Sequence, residues 1–173
     1  MRKIYTLLLF LLFSAVLPAQ NVKNNTQFIP QSEVPLPVLE RQKSVFPTNF
    51  VSEWQVQKIN EMQDAPNLRY IAKFEEDGRP GFSASYFPDG LLLYHSEFIP
   101  GEIIPAPVRL KIEENYKDFT IHNSEFISLY YPQREIYLVK LMDDMQMQYV
   151  FYDTNGNEID KNNLPVELLF LLR

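Results

Sequence analysis

Short runs in which apolar and polar residues alternate fill most of the chain after position 50. Alternation with a period of two is typical of strands that bury one face. Turn-forming residues such as Asp89 and Gly90 separate the runs, since glycine, asparagine and aspartate accept the positive φ angles of tight turns. Two sets of four strands are predicted, 51–59, 68–75, 81–87 and 91–99, then 121–131, 135–142, 146–152 and a short 158–160. Short strands joined by tight turns predict an antiparallel meander.

A Pro-x-Pro pair precedes each set of strands, at Pro35 and Pro37 and again at Pro105 and Pro107. Proline fits the first turn of a helix because the N–H that it lacks would have no partner there. Each pair is followed by a mostly apolar stripe at helical spacing, Val38, Leu39, Gln42, Val45 and Phe46 in the first and Val108, Ile112 and Tyr116 in the second. Helices of two to three turns do not persist alone, so each must pack on a sheet.

The two halves of the chain resemble each other. Segment 34–38 (Val-Pro-Leu-Pro-Val) is echoed seventy positions later by 104–108 (Ile-Pro-Ala-Pro-Val), and the turn 86–90 is echoed by 152–156. An internal repeat indicates two copies of one supersecondary unit. The predicted fold class is therefore α+β, with two tandem α-β-β-β-β units over 34–100 and 101–161, each a short helix on a four-stranded antiparallel sheet.

The C-terminal segment 162–173 is predicted to be an apolar helix. Asn163 has the character of a helix cap and Pro165 fits the first turn. A buried strand is the alternative, because periodicity does not assign a short apolar run.

Residues 1–19 have the layout of a secretory signal peptide. Arg2 and Lys3 precede an apolar run that ends near Ala19, a small residue at the expected cleavage point. A retained membrane anchor is the less favoured alternative, since the run is short for one. The polar stretch 20–33 lacks a sustained period and is predicted to be a flexible leader. The protein is accordingly expected to be exported, to the periplasm or the extracellular space, with no stable membrane insertion after cleavage.

Composition excludes several classes of function. The chain has no cysteine, so it has neither disulfides nor a thiol nucleophile nor a lipid-bearing cysteine after the apolar run. Its net charge is −6, and removal of Arg2 and Lys3 with the signal peptide would make it −8. An acidic exported chain is a poor partner for nucleic acid, which requires clustered cations.

Candidate catalytic and metal-binding groups are weak. His95, Ser96 and Glu97 are consecutive on a predicted strand, where neighbours point to opposite faces and do not converge. His122 has no second ligand nearby. No catalytic residue, cofactor or metal is therefore predicted.

Acidic turns offer two further candidates. The segment 153–158 has alternating oxygen donors, but its glycine comes too early for a calcium-binding EF-hand loop, so a hairpin turn is favoured. The three acidic residues at 75–77 and the two at 143–144 are expected to lie in solvated turns. Hydrolysis by paired carboxylates stays open as the least favoured function.

Aromatic residues provide the best binding candidates. Most of them must fill the core, but tyrosine and tryptophan also anchor protein interfaces, because they combine apolar area with a polar tip. A sheet face without a helix over it would display such residues. The candidates for partner binding are Trp54, Tyr70, Tyr94, Tyr130 and Tyr137.

The chain resembles the PepSY-like, β-lactamase-inhibitor-protein-like (BLIP-like) secreted proteins common in Bacteroidetes. The resemblance rests on the Pro-x-Pro segment 34–38, the helix exit 45–47, the Trp54 strand and the hairpin 86–90, and spans 34–161. The second half departs from the pattern, with Ser124 at the Trp54 position and Lys117 at the Pro47 position. The resemblance implies a periplasmic or surface protein whose concave sheet binds another protein, with an enzyme or peptidase as a candidate, and it carries over no catalytic residues.

Two functions follow from these observations. The favoured one is a non-enzymatic binding or inhibitory module of the cell envelope that engages a protein or peptide through its sheet. The alternative is a periplasmic protein that binds a small ligand or an ion in the groove between the repeats. An exposed aromatic patch would favour the first, and a concave pocket with convergent polar groups the second.

Overall fold

The computed structural model describes residues 26–58, 68–165 and 168. Its strands are β1 (Thr26–Ile29), β2 (Asn49–Lys58), β3 (Leu68–Glu76), β4 (Arg79–Tyr86), β5 (Leu92–Ile99), β6 (Thr120–Tyr130), β7 (Gln133–Met142) and β8 (Met147–Asp153). Its α-helices are α1 (Leu36–Val45) and α2 (Ala106–Asn115), and short 3-10 turns span Gln31–Glu33, Gly101–Ile103 and Lys161–Asn163.

All eight strands form one antiparallel sheet in the order in which they occur along the chain. The α+β class is thus as predicted, but the expectation of a separate four-stranded sheet for each half is corrected. The strands β4, β5 and β6 pair in series, with Ser96 opposite both Ser83 and Ile127. Pairing across this junction satisfies backbone groups that two separate sheets would leave at exposed edges.

Both helices begin where the prolines predict. Pro35 and Pro105 are the N-cap residues, and Pro37 and Pro107 lie in the first turns. Each helix ends at an aromatic residue whose N–H donates to a carbonyl four residues earlier, from Phe46 to Gln42 at 2.9 Å in α1. The following Pro47 prevents α1 from continuing.

Hairpin glycines bring the sheet close to the start of each helix. A Cβ atom at Gly90 would lie 2.6 Å from the carbonyl oxygen of Pro37, and one at Gly156 would lie 2.6 Å from that of Pro107. Both glycines have positive φ angles, +86° and +83°. Only a residue without a side chain permits this contact with the helix backbone.

The N-terminal leader differs from its prediction. Residues 26–29 form the edge strand β1, with Ile29 opposite Trp54, and a 3-10 turn follows. This strand has little local periodicity because its pairing is decided by β2, which is far away in sequence. The predicted signal peptide and residues 20–25 of the leader lie outside the described residues.

The C-terminal part of the second half is also shorter than predicted. The strand expected at 158–160 is reduced to one bridge, between Tyr152 and Glu158. The chain then enters the 3-10 turn Lys161–Asn163, where the Asp160 side chain accepts the N–H of Asn162 at 2.8 Å. Of the predicted C-terminal helix, the structure describes 162–165 and Leu168, which is helical.

Candidate functional site

The two helices cover the same face of the sheet, here called the helix face. Val38 of α1 packs with Ala72 and Ala84, and Val108 of α2 packs with Val139. The strand registers place these positions on one side, because residues directly opposite each other in neighbouring strands share a face. The other side is called the opposite face.

The C-terminal segment covers part of the opposite face. Ile159, Leu164 and Leu168 are buried there against apolar residues of β5 to β8. These sheet residues are Tyr94, Ile127, Leu129, Ile136, Leu138 and Phe151. These residues therefore belong to the core and offer no binding surface.

A second part of the opposite face, at the Phe98 end of β5, carries a cleft of about 340 Å³ that extends from β2 to β6 and is here called the Phe98 cleft. Phe98 is 48 % exposed beside it, Lys73 is exposed on β3, and Glu125 lies directly opposite Phe98 on β6. The floor is made of small residues, and a Cβ atom at Gly81 would lie 3.1 Å from the Cβ of Phe98. The exposed ring of Phe98 thus lies beside a shallow cleft, with the cation Lys73 and the anion Glu125 nearby.

The floor of the cleft is polar and internally bonded. Ser83 and Ser96 are buried neighbours on β4 and β5, and their hydroxyl oxygens are 3.1 Å apart, within hydrogen-bonding distance. Because each hydroxyl has the other as a partner, neither is left unsatisfied by burial. The floor can therefore be covered by an apolar or a polar side chain of a partner.

The predicted binding aromatics do not form one surface patch. Trp54 and Tyr70 are 5 % and 9 % exposed and pack under α1, and Tyr94 is 1 % exposed on the opposite face. These three are core residues, so they are unavailable to a partner that binds the folded sheet. The sequence did not reveal which strand positions share a face with the helices.

The remaining two predicted residues, Tyr130 and Tyr137, are half-buried on the helix face. The Tyr130 hydroxyl is 3.0 Å from Nδ1 of His95, and the ring of Tyr137 lies 5.0 Å from that of Phe126. Burial raises the pKa of both tyrosines. A role for them in partner binding stays a prediction.

His95 is half-buried in an aromatic environment. Its ring meets that of Phe46 edge-on at 5.5 Å, and burial lowers its pKa against the opposing charges of Glu97 and Glu135. Ser96 lies on the opposite face, as strand alternation predicts, and bonds to Ser83 instead of His95. The three consecutive residues 95–97 therefore form no triad.

The acidic turns bond to their own backbone. The carboxylate of Asp143 accepts the N–H groups of Met145 and Gln146 at 2.7 Å, and these bonds lower its pKa. Asp153 accepts from the amides of Asn155 and Asn157 in the hairpin turn at 153–157. A general acid needs a raised pKa at neutral pH, so the state of Asp143 does not favour acid catalysis.

The described residues show neither a metal-binding cluster nor a membrane-spanning helix. Within 26–58, 68–165 and 168, no group of three histidine or acidic side chains is arranged to hold a metal ion. In the same part of the chain, no helix is long and apolar enough to cross a membrane.

Known structures share this fold. A BLIP-like protein from Bacteroides fragilis is 12 % identical, with a TM-score of 0.55, and the match covers 72 % of this chain and 82 % of that one. A candidate periplasmic protein from Bacteroides eggerthii is 17 % identical, with a TM-score of 0.60, over 73 % of this chain and 86 % of that one. No family model and no curated protein matches the sequence. The chain therefore has a BLIP-like fold, which confirms the resemblance at the level of the fold.

Phe98 was not singled out from the sequence as a binding residue. It was one of many aromatics on predicted strands, and it is exposed because the C-terminal segment packs at the Tyr94 end of β5 and not at the Phe98 end. The adjacent Gly81 is the available sequence signal, because a glycine inside a strand indicates a close approach of another group.

Proposed function

We propose that this protein is a non-catalytic binding module of the cell envelope, which engages a protein or peptide through the Phe98 cleft. The observation that carries the proposal is the exposed Phe98 ring beside Lys73 and Glu125, on the sheet face without α1 and α2. Aromatic residues beside small side chains supply much of the energy of protein interfaces. Charges at the rim orient a partner more than they add affinity.

Export and inhibition are supported by different observations. The N-terminal charge and apolar pattern supports export, and the similar Bacteroides eggerthii structure is described as periplasmic. The name of the BLIP-like neighbour supports an inhibitory role. Such a role requires only a surface that blocks another protein, so it fits a site with no reactive side chain.

The internal repeat supports a sheet surface made of two related halves, and we propose that these are tandem copies. Both halves have a bulge near the start of the strand after the helix, at Ser52 and at His122. Both have a hairpin glycine against the proline of the helix start, as described for Gly90 and Gly156. A strand precedes each helix, β1 before α1 and β5 before α2, so in this proposal each unit is β-α-β-β-β and not α-β-β-β-β.

A capture experiment with matched variants tests the proposed function. The mature chain, Phe98→Ser and Phe50→Ser would be immobilised and exposed to an envelope extract of the source organism. Phe50 is 68 % exposed on β2 and serves as the control for losing a surface phenylalanine. We expect one protein to be retained by the wild type and by Phe50→Ser, and at least tenfold less of it by Phe98→Ser.

A second variant keeps the test informative if Phe98→Ser fails to fold. Lys73 is exposed, so Lys73→Glu reverses a charge at the cleft with little effect on stability. It should weaken retention, and more strongly at low salt. Equal retention by the wild type, Phe98→Ser and Lys73→Glu would overturn the proposal.

Small-ligand binding is the second candidate, because the cleft volume of about 340 Å³ lies within the range of small-molecule sites. A metabolite screen by thermal shift tests it. If a metabolite stabilises the wild type but not Phe98→Ser, and no protein is captured, the second function replaces the first.

A further inference from the structure

Within the described part of the chain, the outer edge of β8 is open along most of its length. On this side the described residues supply only the bridge from Tyr152 to Glu158 and a bond from the Ile159 N–H to the Phe151 carbonyl, at 2.7 Å. The strand has no charged residue and no proline between Met147 and Tyr152. Charges and prolines are the usual means of blocking an edge strand, so this edge is competent to pair.

The first half of the chain shows what occupies the same edge there. The hairpin after β4 continues into β5, which runs for eight residues and pairs back as far as Phe82 opposite Glu97. In the second half the chain leaves the sheet at Asp160. A groove of about 680 Å³ lies there between Gln148 on β8 and Asn162 in the turn.

The edge strand β1 is the counterpart of β5. Residues 28–30 and 98–100 are both Phe-Ile-Pro, and each is followed by a 3-10 turn and a Pro-x-Pro helix start. Among the described strands β1 pairs only with β2, so none of them occupies its outer edge. Phe28 is 73 % exposed at that edge.

We propose that β1 of one copy of this chain adds to the open edge of β8 of the next copy, antiparallel, as β5 adds to β4 within the chain. Aligning Tyr152 with Tyr86 puts Gln148 at the position of Phe82 and Met147 at that of Gly81. Gln27 of one copy then lies opposite Gln148 of the next, and Phe28 opposite Met147. The pairing covers two exposed apolar side chains, since Met147 is 49 % exposed.

The two surfaces are different, so the association is head-to-tail and builds either a ring or an open chain of copies. Within one copy, β1 and β8 are at opposite edges of the eight-stranded sheet, seven spacings or roughly 33 Å apart. A covalent link between the two edges must therefore join two copies. The partner in this proposal is a second copy of the chain. The strand pairing does not use the Phe98 cleft, which stays available for the proposed function.

The absence of cysteine from the sequence permits a clean crosslinking test. Gln27→Cys and Gln148→Cys chains would be mixed under mild oxidation, as would Phe28→Cys and Met147→Cys. Hydrogen-bonded and non-hydrogen-bonded pairs alternate along antiparallel strands, so one of these two mixtures has the closer spacing that favours a disulfide. The control mixes Gln27→Cys with Glu113→Cys, an exposed position on α2.

We expect at least tenfold more mixed dimer from one of the edge mixtures than from the control. In the cysteine-free chain, light scattering should show a mass that rises with concentration. Phe28→Lys should abolish this rise. Phe50→Lys is the control, since Phe50 is 68 % exposed but lies on β2, and it should leave the rise unchanged. The proposal is overturned if the edge mixtures match the control, or if the chain stays monomeric while position 148 crosslinks to another protein.

Discussion

Replacing Gly90 with alanine tests how closely α1 rests on the hairpin that joins β4 to β5. The new Cβ would lie 2.6 Å from the Pro37 carbonyl oxygen and 2.9 Å from its carbonyl carbon. Both partners are backbone atoms of the helix start, so the overlap is relieved only if α1 or the hairpin moves. We therefore expect the substitution to lower the free energy of unfolding substantially.

The expected loss in the free energy of unfolding has two contributions. A left-handed backbone costs a residue with a side chain about 1–2 kcal/mol, and forcing an extra methyl group into a closed contact costs about 1–3 kcal/mol. Gly78→Ala is the matched control, since Gly78 also has a positive φ, +74°, but no heavy atom within 4 Å of the Cβ position. The loss in the free energy of unfolding should thus be larger for Gly90→Ala than for Gly78→Ala by about 1–3 kcal/mol.

Urea unfolding followed by circular dichroism measures the difference, and thermal melts give a second reading. For a domain of this size, 1 kcal/mol corresponds to about 2–4 °C in Tm. Gly156→Ala should behave like Gly90→Ala, because its Cβ would lie 2.6 Å from the Pro107 oxygen. Equal losses for Gly90→Ala and Gly78→Ala would refute the reasoning, since only the backbone conformation would then matter.

Three further predictions concern buried groups. Burial lowers the pKa of His95 below 6.5, so an unfolded chain takes up a proton that the folded one refuses, and stability falls as the pH drops below 6.5. His95→Gln should make that decline shallower in urea titrations at pH 7 and pH 5, and an unchanged slope would contradict this. Tyr86→Phe removes the 2.6 Å hydrogen bond to the buried Gln42 and should cost about 1–3 kcal/mol in urea unfolding, whereas a loss near zero would show that the bond contributes nothing. Leu164→Ala should cost about 2–5 kcal/mol by the same measurement if Leu164 seals the opposite face, and the exposed Leu110→Ala should cost far less.

Local patterns were sufficient to predict the helices and most strands. The Pro-x-Pro pairs marked both helix starts, because proline has a defined place in a first turn. The alternating run predicted at 68–75 agrees with β3 (Leu68–Glu76) within one residue. Such elements can be predicted because their signals lie inside the segments themselves.

Features that depend on distant partners were not predictable in this way. β1 becomes a strand because β2 pairs with it, and the single sheet depends on the contact between β5 and β6. Alternation shows that Tyr94 and His95 point in opposite directions, but it does not show which of them faces a helix. The candidate aromatics were therefore chosen without knowledge of which strand face is covered, and three of them are core residues.

Crosslinking from the Phe98 position tests the central claim most directly. A photoreactive phenylalanine analogue would replace Phe98 in cells of the source organism, and the same analogue at Leu110, 64 % exposed on α2, is the control. We predict a single protein adduct from position 98, absent from position 110 and reduced by Lys73→Glu. Adducts of equal yield from both positions, or none from position 98 while position 110 gives one, would contradict binding through the Phe98 cleft.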